Sequence, residues 1–164
     1  MRLSRYMTVM LAVCAGPVAA NGPAAPGLCG AQESAFFACP VARGRFIGLC
    51  GSTAKALQYR FGRVGAVELQ FPESAAAGAD RMLFSHYSRY QTDRVEVRFE
   101  NQGSEYVIFD YVEDGRRRAG VRVTTPDAKE REIACTGRAT SRLVELKSVL
   151  KCDADSALNG GKCP

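Results

Sequence analysis

Between residues 37 and 135, apolar side chains fall at every second position in short runs, and glycine-bearing turns separate the runs. That period belongs to extended chain: successive side chains of a strand point to opposite faces, whereas a helix returns to one face every three or four residues. Leu57, Tyr59 and Phe61 alternate with Gln58 and Arg60, and Val67, Leu69 and Phe71 alternate with Glu68 and Gln70. Their apolar sets share a face if Tyr59 pairs with Leu69 and Phe61 with Val67. This register makes Arg63-Val64-Gly65 a three-residue loop, with glycine where a positive φ is wanted, and sets Arg60 opposite Glu68.

The grammar recurs. Val95, Val97 and Phe99 fall on one face of a run, and Val107, Phe109 and Tyr111 on one face of the next. Pairing Val97 with Val107 makes Asn101-Gln102-Gly103 the connecting loop. A turn at Glu113-Asp114-Gly115 leads to Ala119, Val121 and Val123, with Arg122 and Thr124 outward, and Pro126-Asp127 turns the chain into residues 130–135. Residues 37–41 and 45–50 flank Ala42-Arg43-Gly44, and residues 82–90 form a further strand. About eight or nine short strands predict a mainly β fold, a single antiparallel β-sandwich or barrel. Residues 72–81 read as a loop. In residues 141–151, Leu143, Leu146 and Leu150 lie at helical spacing behind Ser141 as a cap, while Val144, Leu146, Ser148 and Leu150 also suit a strand. A short C-terminal helix is the expected form.

The seven cysteines are an awkward number until the N-terminus is read. Arg2 and Arg5 precede an apolar run over residues 6–13, and Val18-Ala19-Ala20 offers the small residues of a signal peptidase site after Ala20. The run is too short for a spanning helix, which needs about 20 apolar residues. Cys14 follows Leu11-Ala12-Val13, and the β-branched Val13 does not suit a lipidation signal. Residues 1–20 are therefore expected to be a cleaved signal peptide, and no transmembrane segment is expected after its removal. Residues 21–32, rich in Gly, Ala and Pro, follow as a flexible leader tied down at Cys29, and residues 33–164 form the single β-domain.

Cleavage removes Cys14 and leaves 144 residues of formal charge +3 with six cysteines. Six cysteines in an exported chain imply three disulfides. If residues 37–41 pair with residues 45–50, Cys39 and Cys50 face opposite sides and do not bond to each other. Of the fifteen connectivities that six cysteines allow, the expected set is Cys29–Cys50, Cys39–Cys135 and Cys152–Cys163. No C-x₂₋₄-C pair exists beside the single histidine, so no zinc site is expected.

His86 is the only histidine, and any His-based catalysis must use it. Neighbouring Ser85 would point to the opposite face of a strand, and no G-x-S-x-G elbow exists. With every mature cysteine paired, no catalytic thiol is expected. Asp153, Asp155 and Asn159 resemble a calcium loop, but Ala157 and Pro164 stand where an EF-hand needs ligands. No catalytic residue, metal or cofactor is therefore expected. Asp110, between Phe109 and Tyr111, reads as a carboxylate paired to an arginine. Arg116-Arg117-Arg118 lies beside Glu113 and Asp114, which marks an exposed hairpin end and argues against a nucleic-acid partner. Tyr87, Arg89, Tyr90 and Arg94 interleave aromatic and basic groups that can stack on sugars or on a partner protein. Arg60, His86, Tyr90 and Arg94 are the candidate ligand-binding residues, on a polar sheet face.

Several segments together resemble a family of small exported, cysteine-containing proteobacterial proteins of uncharacterised activity. They are Phe36-Phe37-Ala38-Cys39, Leu49-Cys50-Gly51-Ser52, Leu57-Gln58-Tyr59-Arg60-Phe61-Gly62, Phe84-Ser85-His86-Tyr87-Ser88-Arg89-Tyr90, Phe109-Asp110-Tyr111 and Cys152-Asp153-Ala154-Asp155. The resemblance spans nearly all of the mature chain and implies a periplasmic or secreted bacterial protein, with no catalytic residues to carry over. The leading expectation is a non-enzymatic β-domain of the envelope that binds a protein or glycan. A periplasmic lysozyme inhibitor is the sharper alternative, although the Ser-Gly-rich inhibitory loop is missing and a +3 chain suits cationic lysozymes poorly. A small hydrolase using His86 is the third reading.

Overall fold

The structure, a computed structural model, describes residues 27–160, 162 and 163. The expected signal peptide and the first part of the leader lie outside the described residues. Nine strands follow in order: β1 (Ser34–Val41), β2 (Arg45–Gly51), β3 (Leu57–Arg63), β4 (Ala66–Phe71), β5 (Leu83–Arg89), β6 (Thr92–Asn101), β7 (Ser104–Glu113), β8 (Arg116–Thr124) and β9 (Glu130–Ala134). Two-residue strands, β10 (Thr140–Ser141) and β11 (Lys151–Cys152), complete the sheets. The first sheet runs β10-β1-β2-β3-β4 and the second β11-β5-β6-β7-β8-β9. Every neighbouring pair is antiparallel except β11 with β5. The fold is a two-sheet sandwich, so of the two expected architectures the barrel is excluded.

The core forms where the alternating apolar sets of the two sheets face each other. Phe37, Ile47, Leu49 and Tyr59 come from the first sheet, and Phe84, Val97, Phe99, Ile108 and Val121 from the second. The expected short C-terminal helix forms as a 3-10 helix, Leu143–Ser148, with Leu143 and Leu146 buried in the core, and Ser141 pairs in β10 instead of capping it. Three-residue 3-10 turns at Ala75–Ala77 and Ala79–Arg81 interrupt the expected loop before β5.

Two expected registers are corrected. In the β3–β4 hairpin Phe61 pairs with Leu69 and Tyr59 with Phe71, and the connection is the two-residue loop Val64-Gly65. The register shifts beside Gly62, whose φ of +145° no side chain adopts readily. This bulge leaves Glu68 without a cross-strand position of its own. Arg60 therefore pairs across the strand with Gln70, and Glu68 instead takes Arg45 at 2.9 Å and Arg63 at 3.1 Å. Leu69 and Phe71 keep their expected face, while Val67, opposite Gly62, turns to the outer face and is 46% exposed.

In the β6–β7 hairpin the displacement is by one, and the faces exchange. Val97 pairs with Ile108 and Arg98 with Val107, because the loop is the two-residue Gln102-Gly103, with φ of +50° and +74°. Ile108 and Tyr106 face the core in β7, while Val107, Phe109 and Tyr111 lie on the outer face.

All three disulfides form as expected: Cys29–Cys50, Cys39–Cys135 and Cys152–Cys163. Cys50 stands on the outer face of the first sheet, so its bond draws residues 27–33 across that face. Leu28 is buried there against Gly48. The described part of the leader is thus packed onto the sheet and held at Cys29. No helix among the described residues is long and apolar enough to cross a membrane.

Candidate functional site

The outer face of the second sheet gathers the densest set of aromatic and charged side chains. Antiparallel register places Tyr87 beside Arg94, Arg94 beside Tyr111, and Tyr111 beside Arg118, one residue from each of β5, β6, β7 and β8. The Arg94 guanidinium lies 5.5 Å from the Tyr111 ring centre, and that of Arg89 lies 6.0 Å from the Tyr87 ring centre. Cations over aromatic faces are attracted by the ring quadrupole. The row therefore alternates ring and cation across four strands, with Tyr87 and Arg118 exposed at its ends.

Beneath this row a polar network fixes the face. The Tyr111 hydroxyl donates to Glu96, and Arg122 donates to Glu96 and, at 3.0 Å, to the Tyr111 oxygen. The Arg122 guanidinium covers the Phe109 ring at 5.4 Å, and Phe109 is 1% exposed. Burial, reinforced by Glu96, pushes the Tyr111 phenol up to about 12. Burial opposes the charge of Arg122, but the facing Tyr111 and Glu96 overcome it and raise its pKa. Glu113 raises the pKa of Arg94 through their hydrogen-bonded pair.

The C-terminal segment forms one wall. Asp153, only 2% exposed, accepts two bonds from Arg98, at 2.6 and 2.8 Å, and Arg98 also donates to Glu105 at 3.0 Å. The hydrogen bonds to Asp153 are the largest cause of a raised Arg98 pKa. The backbone amide of Asp153 donates to Phe84, and Asn159 accepts from the His86 amide. Asp155 and Leu158 then border a concavity of about 530 Å³ over Arg94, Arg98 and Tyr111.

The four candidate binding residues do not share this face. Arg60 sits on the outer face of the first sheet, donating to both carboxylate oxygens of Glu33, at 2.6 and 2.8 Å, and to the Leu28 carbonyl at 2.9 Å. Tyr90 occupies the tip of the β5–β6 turn and is 87% exposed. His86 pairs with Val95 and so lies on the opposite side of β5 from Tyr87, with its Nε2 2.7 Å from Asp93. Only Arg94 belongs to the outer row. One residue in a strand decides the face, and Tyr90 escapes the strand pattern because it is in the turn.

No family model, curated protein or solved structure matches this chain. The site is therefore read from its own geometry. For His86, no hydroxyl or thiol among the described residues bonds the second ring nitrogen, and Ser85 lies on the far face of the strand. Asp110 accepts both bonds of an Arg117 fork, at 2.7 and 2.8 Å, and Arg118 meets Glu132 at 3.0 Å. Two members of the basic triplet are thus engaged with carboxylates. No cluster of metal-ligating side chains occurs among the described residues.

The sequence reading missed Tyr111, Glu96, Arg122 and Asp153 as a connected group. Pairing Val97 with Val107 puts Tyr111 on the face of Val95 and Val97, and the observed register puts it on the other. Glu96 and Arg122 come together only because β7 lies between their strands. Asp153 is brought to Arg98 by the fold of the tail, and no local pattern carries that signal.

Proposed function

We propose that this chain is an exported, non-enzymatic binding domain of the bacterial envelope, periplasmic or secreted after cleavage at Ala20, which takes an envelope protein or glycan on the outer face of its second sheet. The observation that carries this reading is the Tyr87–Arg94–Tyr111–Arg118 row. Tyrosine and arginine are the residues most enriched at the energetic centres of interfaces, because each offers large, stiff contact area with a polar end. The network under the row holds it in place before binding, which lowers the entropy lost on association. Three disulfides and the signal-like start support an oxidising compartment outside the cytoplasm.

The test is affinity capture from periplasmic extract, with a parallel arm of sedimentation with purified peptidoglycan. The bait is the protein beside a Tyr87→Ser/Arg94→Ser variant checked for an unchanged unfolding midpoint. The expected result is a partner held by the unaltered protein and reduced at least about tenfold with the variant, as befits loss of two central contacts. A partner held equally by both overturns the assignment of this face.

A further inference from the structure

On the side where edge strands β4 and β9 leave the sandwich open, a second concavity of about 800 Å³ lies between the sheets. Phe61 and Leu69 of the first sheet and Val123 and Ile133 of the second form its walls, with Tyr59 and Tyr106 also lining it. These are inner-face residues by register, core side chains left partly open because both sheets end here. Small-molecule sites are commonly concavities of roughly 300–1,000 Å³ with mostly apolar linings and a few placed polar groups.

Two phenols supply those polar groups. Tyr59 is 1% exposed, and its hydroxyl makes no hydrogen bond with any described residue; neither does that of Tyr106. No fully enclosed side-chain polar atom among the described residues lacks a partner, so the Tyr59 hydroxyl must still be reachable from the groove. The two rings are 6.0 Å apart, and Tyr106 acts electrostatically on the Tyr59 phenol. Neither hydroxyl has a partner among the described residues and both rings line one apolar groove, so the two mark places for an acceptor that the protein does not provide.

The acceptor's chemistry follows. A pure hydrocarbon would seal both hydroxyls without partners. A carboxylate would carry charge into an apolar lining. A carbonyl oxygen is neutral, has two lone pairs and can accept from both phenols. At the rim, Lys129 pairs with Asp127, Glu130 is on the outward side of β9, and Arg131, on the side of Val123 and Ile133, is exposed, so the end of the groove at Tyr59 stays uncharged. We propose that this groove binds an apolar small molecule whose buried end carries a carbonyl, accepting hydrogen bonds from Tyr59 and Tyr106.

Titration calorimetry of the disulfide-bonded protein with acetylnaphthalene and ethylnaphthalene tests this, since the two probes are nearly the same shape and differ in the carbonyl. Both are expected to bind, the ketone about five- to tenfold tighter, as one or two net hydrogen bonds would give. Tyr59→Phe with Tyr106→Phe should abolish that preference and leave the hydrocarbon's affinity unchanged. Ile133→Trp, which fills the groove, should remove binding of both. If Tyr59→Phe does not fold, Tyr106→Phe, at a partly exposed position, carries the test alone and should reduce the preference. Absence of saturable binding by either probe, equal affinities in the unaltered protein, or a preference that survives removal of the hydroxyls each overturns the proposal.

Discussion

Glu33 and Arg60 tie the leader to the first sheet, and their pair sets an acid limit on the protein. The Arg60 hydrogen bonds hold the Glu33 carboxyl below its usual 4.5. A depressed carboxylate pKa contributes stability that is complete above the unfolded value and is lost as pH falls through the folded value. Glu33→Gln is therefore expected to cost about 1–2 kcal/mol at neutral pH, and this difference should vanish as acid is added below 4.5. Urea unfolding of both proteins across the acid range checks the sign. At this scale the sequence was legible in part. The Asp110 ion pair was expected from its surroundings, and Arg117 provides it. The Arg60 partner was not, because Glu33 is 27 residues away and reaches Arg60 only after the Cys29–Cys50 bond folds the leader back.

The hairpins show where strand reasoning holds and where it fails. In both hairpins the strand pattern predicts a three-residue loop with glycine last, and both loops are two residues long. In β3–β4 the Gly62 bulge absorbs the difference, and Leu69 and Phe71 keep their face while Val67 loses it. In β6–β7 nothing absorbs it, and Phe109 and Tyr111 move from the expected core to the outer face. That exchange leaves no local sign because β7 is apolar on both sides: the Arg122 guanidinium covers Phe109 on its outer face as the first sheet covers its inner one. The turn signal was also muted, since Gln102 takes a positive φ where asparagine or glycine is the usual sign. Gly62 and Gly65 separate strain from enclosure. A Cβ at Gly62 would come within 2.6 Å of the Ala66 carbonyl oxygen and the Glu68 amide nitrogen, while one at Gly65 would meet open space. Gly62→Ala is expected to cost about 2–3 kcal/mol, against about 1 kcal/mol for Gly65→Ala. Thermal unfolding of the two variants side by side measures the difference.

Across the whole molecule, the disulfides divide into one that joins the sheets and two that fasten the chain ends. Cys39–Cys135 spans 96 residues and links β1 to the residue following β9, whereas Cys152–Cys163 spans 11 and closes the tail. Chain-entropy reasoning gives about 4–5 kcal/mol for the long loop and about 3 kcal/mol or less for the short one. Replacing Cys39 and Cys135 by alanine should therefore lower the urea midpoint more than replacing Cys152 and Cys163. The tail variant should instead loosen Asp153 from Arg98 and weaken whatever the outer face binds. The sequence by itself determined the strand content, the likeness of its start to an export signal, and, through the opposite facing of Cys39 and Cys50, that these two cysteines do not bond to each other. These are local properties, written in a two-residue period and in residue parity. The tertiary structure alone decided sandwich over barrel, which face of β7 is the core, and which charges meet across strands. Those depend on loop lengths resolved to a single residue and on contacts between segments far apart in the chain, and no local pattern encodes either.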